Sequence, residues 1–176
     1  GLVDEQYELV SHVSRPTYAS RGPEQVVASI GDAIEQVLNQ AGVIIDDCSS
    51  IGVGAPGTCD VDKGVVIVSY SLSWDHVPLA DMLEKRFGKP CRIDNDANCA
   101  ALAEVKAGAA RGYRNVVLIT LGTGIGSGIV LDGAIYSGFR GSGTEIGHTL
   151  IDCDGELCPC GRRGCWDAYA SVTALI

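Results

Sequence analysis

His148, Cys158, Cys160 and Cys165 follow the pattern H-x9-C-x-C-x4-C near the end of the chain. Sulfur donors with one imidazole are a set that zinc takes up tetrahedrally, and Cys3His is a common structural combination. Gly161 and Gly164 let the chain turn tightly around an ion. Four protein ligands close the coordination sphere and leave no place for an activated water. The expected ion is therefore a structural zinc, contributing on the order of 10 kcal/mol to local folding. A disulfide or idle thiols are the alternatives, and Cys153 is a competing ligand outside the tighter cluster. Two acids bracket this segment, Glu145 just before His148 and Asp167 just after Cys165. Held rigidly, both can accept hydrogen bonds from hydroxyls, which suits a sugar. Each taken singly also reads as a solvated surface carboxylate.

Two further groupings carry chemistry. "IDNDAN" places Asp94, Asn95 and Asp96 where a strand gives way to a helix. Ligands of open α/β sheets gather at the carboxyl ends of strands, and a carboxylate there can take a proton from a hydroxyl. Asp and Asn are also favoured helix caps, which needs no ligand. "LGTGIGSGI" has glycine at every second position, Gly122, Gly124, Gly126 and Gly128, with Thr123 between the first two. It is neither a Walker loop nor the dinucleotide fingerprint, because it lacks the Lys-Ser/Thr ending and leads into a strand. Such a run lets the backbone approach a ligand and aim N–H groups at phosphate oxygens. A bare hairpin turn is the alternative.

These residues need elements to hold them. Residues 2–18 read as an extended pair turning near Asp4 and Glu5. "PEQVVASIGDAIEQVLNQAG" is a helix, opened by Pro23 and closed by Gly42, with apolar residues at three- and four-residue steps. "SSIGVGAPGTCD" is a short strand running into a Gly-Pro-Gly loop, and "GVVIVSY" and "NVVLITLG" are buried strands. "PLADMLEKRFG" is a second helix; "PCRIDND" is a strand and "ANCAALAEVKAGAARG" a helix of small residues. Asp132-Gly133 marks a β-hairpin. Strands alternating with helices predict an α/β class with a mixed sheet. A boundary near Gly112 divides an N-terminal α/β domain (1–112) from the start of a second one (113–176).

With 46% hydrophobic and 20% charged residues, the composition is that of a soluble globular protein. A net charge of −9 argues against a general nucleic-acid-binding surface. No stretch has the ~20 apolar residues of a membrane span. The N-terminus has no basic segment or long apolar run of a signal peptide, and no initiator methionine. Of eight cysteines, Cys48, Cys59, Cys91 and Cys99 are scattered singly, so thiols plus a metal cluster in a reducing cytoplasm is the preferred reading.

"GVGAPGTCD", "LSWDHVPLADML", "IDNDANCAALAE", "LGTGIGSGIVLDGAIYSG", "EIGH" and "CPCGRRGCWDAYAS" together resemble the ROK family of bacterial sugar kinases and related repressors, in the family's order and spacing from Ile51 onward. The likeness is in particular to its ATP-dependent glucokinases. The resemblance implies an actin-like, ribonuclease H-like ATPase fold and transfer of the ATP γ-phosphoryl group to the 6-hydroxyl of a hexose. It makes Asp96 the catalytic base and puts Asn95, Glu145, His148 and Asp167 on the sugar, with Gly57 in a loop nearby. It puts Gly122, Thr123, Gly124 and Gly126 in a phosphate-binding loop. His148, Cys158, Cys160 and Cys165 match the family's zinc ligands, magnesium accompanies ATP, and the full-length protein is expected to be a dimer or tetramer.

The family's opening Asp-x-Gly-Gly-Thr strand and much of its second domain have no counterpart here, so an internal piece, inactive by itself, is expected. Asp167 stands where the family commonly has Glu, and Ser71 where glucokinases often have Asn. Either shifts sugar preference, for instance towards an N-acetylated hexose. A sugar-responsive repressor of the same family and a non-catalytic zinc module are the competing functions, and polyphosphate competes with ATP as donor.

Overall fold

The computed structural model describes residues 1–141 and 143–176. The chain forms two compact units, Gly1–Asp96 and Ala97–Ile176.

The first unit opens with the expected extended pair. β1 (Leu2–Val3) and β2 (Leu9–Ser11) are antiparallel, and Asp4 ties the turn, its carboxylate accepting from the N–H groups of Gln6 and Glu8. α1 (Pro23–Ala41) has Pro23 in its first turn and Gly42 in the left-handed conformation after its last. Val26, Val27, Val37 and Leu38 form its buried stripe. β3 (Ile51–Ala55) runs parallel to β7 (Cys91–Asn95), in register from Ile51 opposite Cys91 to Ala55 opposite Asn95. Between them lie β4 (Thr58–Asp60), β5 (Val65–Ser69), β6 (Trp74–Val77) and α2 (Leu79–Phe87). β4, β5 and β6 form an antiparallel sheet in that order. α2 stops at Gly88, left-handed, whose N–H reaches the Glu84 carbonyl. One core joins α1, α2, β3, β5, β6 and β7; Val66 and Leu83 are fully inaccessible, and Leu79, Ile93 and Trp74 nearly so. Each such side chain contributes about 1.5–3 kcal/mol by leaving water.

In the second unit α3 (Asp96–Lys106), whose first residue still belongs to the first unit, lies on β9 (Ile125–Leu131). The contact requires glycine: a Cβ on Gly128 would stand 2.6 Å from the Ala101 Cβ. β9 pairs antiparallel with β8 (Val116–Leu121) and with β10 (Ala134–Ile135). Asp132 and Gly133 both have positive φ, 51° and 82°, as a two-residue hairpin turn demands. The remainder is irregular, held by short pairings of Leu150 with Cys165 and Leu157 with Arg163, then α4 (Asp167–Ala170) and α5 (Val172–Leu175).

Several expectations need correction. The α/β class holds and parallel and antiparallel pairing both occur, but they are divided among four separate sheets. β4 and β6 were not anticipated. α3 ends at Lys106, short of the run read to Gly112. β8 is not a buried strand: Val117, Ile119 and Leu121, all on one face, are 59, 44 and 65% exposed. The compact units divide at the start of α3; the domain boundary expected near Gly112 is a separate matter and stays a proposal.

Candidate functional site

The parallel register of β3 and β7 brings their carboxyl ends side by side. Asn95, last in β7, donates from Nδ2 to the Gly57 carbonyl at 3.1 Å. Gly57 has φ 105°, and a Cβ there would stand 2.9 Å from the Ser69 Cα, so only glycine fits this turn between β3 and β4. The Asp94 carboxylate accepts from the Asn95 N–H at 2.6 Å. Asp96 follows as the exposed first residue of α3. Gly57, Asn95 and Asp96 are thus gathered at one end of the β3–β7 pair, where an α/β sheet holds its ligands.

The second unit holds the other candidates. Gly122, Thr123 and Gly124 form the turn from β8 to β9, closed by the Gly122 N–H on the Gly124 carbonyl at 3.0 Å. The Val172 N–H donates to the Gly122 carbonyl at 2.9 Å and the Thr173 hydroxyl to the Thr123 carbonyl at 2.8 Å. The turn's acceptors therefore face protein. The amides of Thr123 and Gly124 have no protein partner among the described residues, leaving a pair of donors for an anion. Gly126 lies within β9, where a Cβ would stand 2.5 Å from the Thr120 hydroxyl oxygen, so packing against that side chain already favours glycine there.

Asp167, expected on the sugar, accepts from the Ile125 N–H at 2.6 Å. One carboxylate oxygen thus holds the strand that leaves the glycine turn. Neither that bond nor the grip of Val172 and Thr173 was legible in the sequence, because the partners lie some 40 to 50 residues apart. Glu145 is exposed and precedes a short turn, Ile146–His148, pinned to β9: the Ser127 hydroxyl donates to the Thr144 carbonyl and accepts from the Ile146 N–H at 3.4 Å. Gly147 makes that approach possible, since a Cβ there would collide with the Ile125 carbonyl.

The ligating atoms of His148, Cys158, Cys160 and Cys165 all lie within 4.8 Å of one another. The pairing of Leu150 with Cys165 brings the histidine turn to the cysteine segment. The Cys158 N–H on the Arg162 carbonyl, at 2.8 Å, folds the segment back on itself. The His148 Nδ1 is 3.6 Å from the Cys158 Sγ, and the Cys160 and Cys165 sulfurs are 3.6 Å apart. A disulfide would need about 2.05 Å. A zinc tetrahedron with Zn–S of about 2.3 Å and Zn–N of about 2.0–2.1 Å has edges of about 3.6 Å (S···N) and 3.8 Å (S···S). The donor set and its spacing fit zinc. Electrostatics point the same way. The Arg162 N–H leads the influences that pull the Cys160 thiol down to about 6. Burial and the neighbouring thiols push Cys165 up to about 11. Three thiols this close ionise together only around a cation. By contrast Cys91 sits in the core, its thiol pushed up to about 11 by burial, and behaves as a small hydrophobe.

Comparison with known proteins names the class to which this α/β architecture, glycine turn and Cys3His cluster belong. The ROK family model matches residues 1–176; the chain belongs to the ROK family. A glucokinase of Thermotoga maritima is 40% identical over 176 residues, covering 99% of this chain and 54% of that protein. The crystal structure of a ROK family glucokinase from Streptomyces griseus, in complex with glucose and AMPPNP, superposes with a TM-score of 0.84 at 37% identity, covering 98% of this chain and 53% of that one. A xylose repressor of Bacillus subtilis is 34% identical over 157 residues, covering 89% of this chain and 41% of the repressor. The chain thus spans about half the length of the relatives it matches. Its fold is the α/β, actin-like ATPase fold of the ROK sugar kinases, present in part. No helix among the described residues is long and apolar enough to cross a membrane.

Proposed function

We propose that this chain is part of an ATP-dependent hexose kinase acting on the 6-hydroxyl of glucose. The observation that carries this reading is the match, over 98% of the chain, to a glucokinase holding glucose and a nucleotide. Asp96 takes the proton as the hydroxyl oxygen bonds to the γ-phosphorus; the bond to the β-phosphate oxygen breaks and ADP leaves. Such transfer depends on positioning and on stabilising charge. Asn95 and Gly57 orient the sugar, and Glu145 and Asp167 accept from its hydroxyls. The amides of Thr123 and Gly124 hold phosphate, with magnesium accompanying ATP. His148 presents Nδ1 to the sulfurs, so its Nε2–H is the donor left for a hydroxyl. Zinc on His148, Cys158, Cys160 and Cys165 fixes these groups and takes no part in the reaction. A cytoplasmic dimer or tetramer, and the division of the parent near residue 112, belong to the same reading.

The test uses the full-length parent, screened against glucose, mannose, fructose, N-acetylglucosamine and N-acetylmannosamine. Glucose should be preferred; preference for an N-acetylated hexose would trace to Asp167 and Ser71. Asp96→Asn should lower kcat by ~10²–10⁴ with glucose affinity nearly unchanged, and near-normal turnover would refute the assignment of the base. The likeness to a xylose repressor supports a second reading, a sugar-responsive regulator. Operator binding released by sugar, without phosphorylation of any hexose, would establish it instead.

A further inference from the structure

Arg162 is hydrogen-bonded to two of the four residues of the Cys3His cluster and follows a third, Cys160, by two positions. Its guanidinium Nη2 donates to the His148 carbonyl at 3.0 Å. Its guanidinium charge and its backbone N–H both favour the thiolate form of Cys160. Its carbonyl accepts from the Cys158 N–H at 2.8 Å. Arg163 makes none of these contacts and donates instead to the Gly155 carbonyl at 3.2 Å.

The arrangement has an electrostatic purpose. A divalent ion with three thiolates and a neutral imidazole keeps one net negative charge. Cys158 and Cys165 are buried, but Cys160 is exposed. Its sulfur is therefore where a proton, a chelator or an electrophile reaches the cluster first. The Arg162 guanidinium, held on the His148 carbonyl at the edge of the cluster, neutralises the excess charge and lowers the basicity of the lone pairs that such reagents attack. The same side chain ties the histidine turn to the cysteine segment, so both halves of the ligand set loosen together or not at all.

We propose that Arg162 is the counter-charge and clamp of the metal centre: a positioning residue that slows metal release by placing its charge at the edge of the cluster and joining the cysteine segment to the His148 backbone. This rests on the zinc reading above, and supporting groups of this kind typically change metal affinity ten- to a hundredfold.

The experiment uses this chain loaded with zinc, and separately with cobalt, in wild-type, Arg162→Gln, Arg162→Lys and Arg163→Gln forms. Zinc transfer to excess chromogenic chelator is timed. R162Q should release zinc ten- to a hundredfold faster; R162K, which keeps the charge, should recover most of the difference; R163Q should stay within about twofold of wild type. Cobalt-loaded R162Q should retain tetrahedral d–d bands, while its thiolate-to-cobalt charge-transfer band moves to lower energy, a change that a purely structural defect does not produce. In wild type, raising salt with a non-coordinating anion should speed release by screening the exposed guanidinium. That measurement stands even if R162Q does not fold. Release from R162Q within twofold of wild type, or salt-independent release from wild type, overturns the clamp and leaves the zinc site standing. So does a defect in R163Q equal to that in R162Q. Wild type that takes up neither zinc nor cobalt overturns both.

Discussion

Gly57 and Asn95 are held by a packed apolar core, whereas Glu145, His148 and Asp167 are held by hydrogen bonds and a sulfur cluster. In the first unit Val66, Leu79, Leu83, Ile93 and Trp74 lie within one core beneath the ends of β3 and β7. In the second, of the residues from 145 to 170, the buried ones are Gly147, Cys158, Gly164 and Cys165. No leucine or valine there anchors the segment: Leu150 and Leu157 are exposed at 53 and 62%. The difference teaches that a stretch too short and too polar to build a core can still be made rigid if its ligands converge on an ion. The first unit's site residues draw their precision from burial, whereas the segment from 145 to 170 would draw its own from an ion held by His148, Cys158, Cys160 and Cys165.

Metal removal is the strongest way to break this comparison. Stripping zinc from the loaded chain should withdraw on the order of 10 kcal/mol of local folding free energy. By hydrogen exchange, amides of residues 145–171 should lose their protection, while those of α1, β3 and β7 keep theirs. Equal loss in both units would show that coordination supports the whole chain, and the contrast would collapse. The reciprocal change is Leu83→Ala. Leu83 is fully inaccessible in the first unit's core, and emptying such a position costs about 2–5 kcal/mol. Protection of α2 and β7 should fall by that amount while zinc uptake stays at one ion per chain. Loss of zinc binding in this variant would mean that the core, too, shapes the cluster.

How much of this was legible beforehand follows the same divide. Coordination leaves a local signature: the spacing of His148, Cys158, Cys160 and Cys165 is legible because few residue types bind metal. Pro23 and Gly42 likewise bound α1 by purely local chemistry. Strand burial is not local. β6 carries Trp74 and Val77 inward and Asp75 and His76 outward. Four residues beside the polar Ser71-Leu72-Ser73 give no period to read, and their burial comes from pairing with β5. β8 misleads in the opposite sense, because "VVLITL" is apolar throughout, yet one face meets solvent here. The glycine alternation was legible as a pattern but not as a division of labour. Gly122 and Gly124 shape a turn, while Gly126 and Gly128 clear space for Thr120 and α3. Asp167 reads as a sugar acid, and only tertiary folding reveals that one of its oxygens is already engaged by Ile125.

The smallest effect sharpens the comparison from within the first unit, where charge should matter little. Arg86 of α2 bonds to α1 through the Ala28 carbonyl at 3.0 Å, Asp32 at 3.1 Å and Glu35 at 2.8 Å. Gly31 makes this possible, since a Cβ there would fall on the guanidinium. Gly31→Ala therefore evicts Arg86 while improving the helix. The carboxylates are more than half exposed, so each lost pair costs only about 0.2–1 kcal/mol. Replacing a mid-helix glycine by alanine returns about 0.5–1 kcal/mol. Because the displaced group is the far end of a flexible side chain, it can swing into water without disturbing backbone. The two contributions nearly cancel, and protection of α1 amides should change by less than about 1 kcal/mol. A loss above about 2 kcal/mol would make this ion cluster, rather than apolar burial, the fastening between α1 and α2.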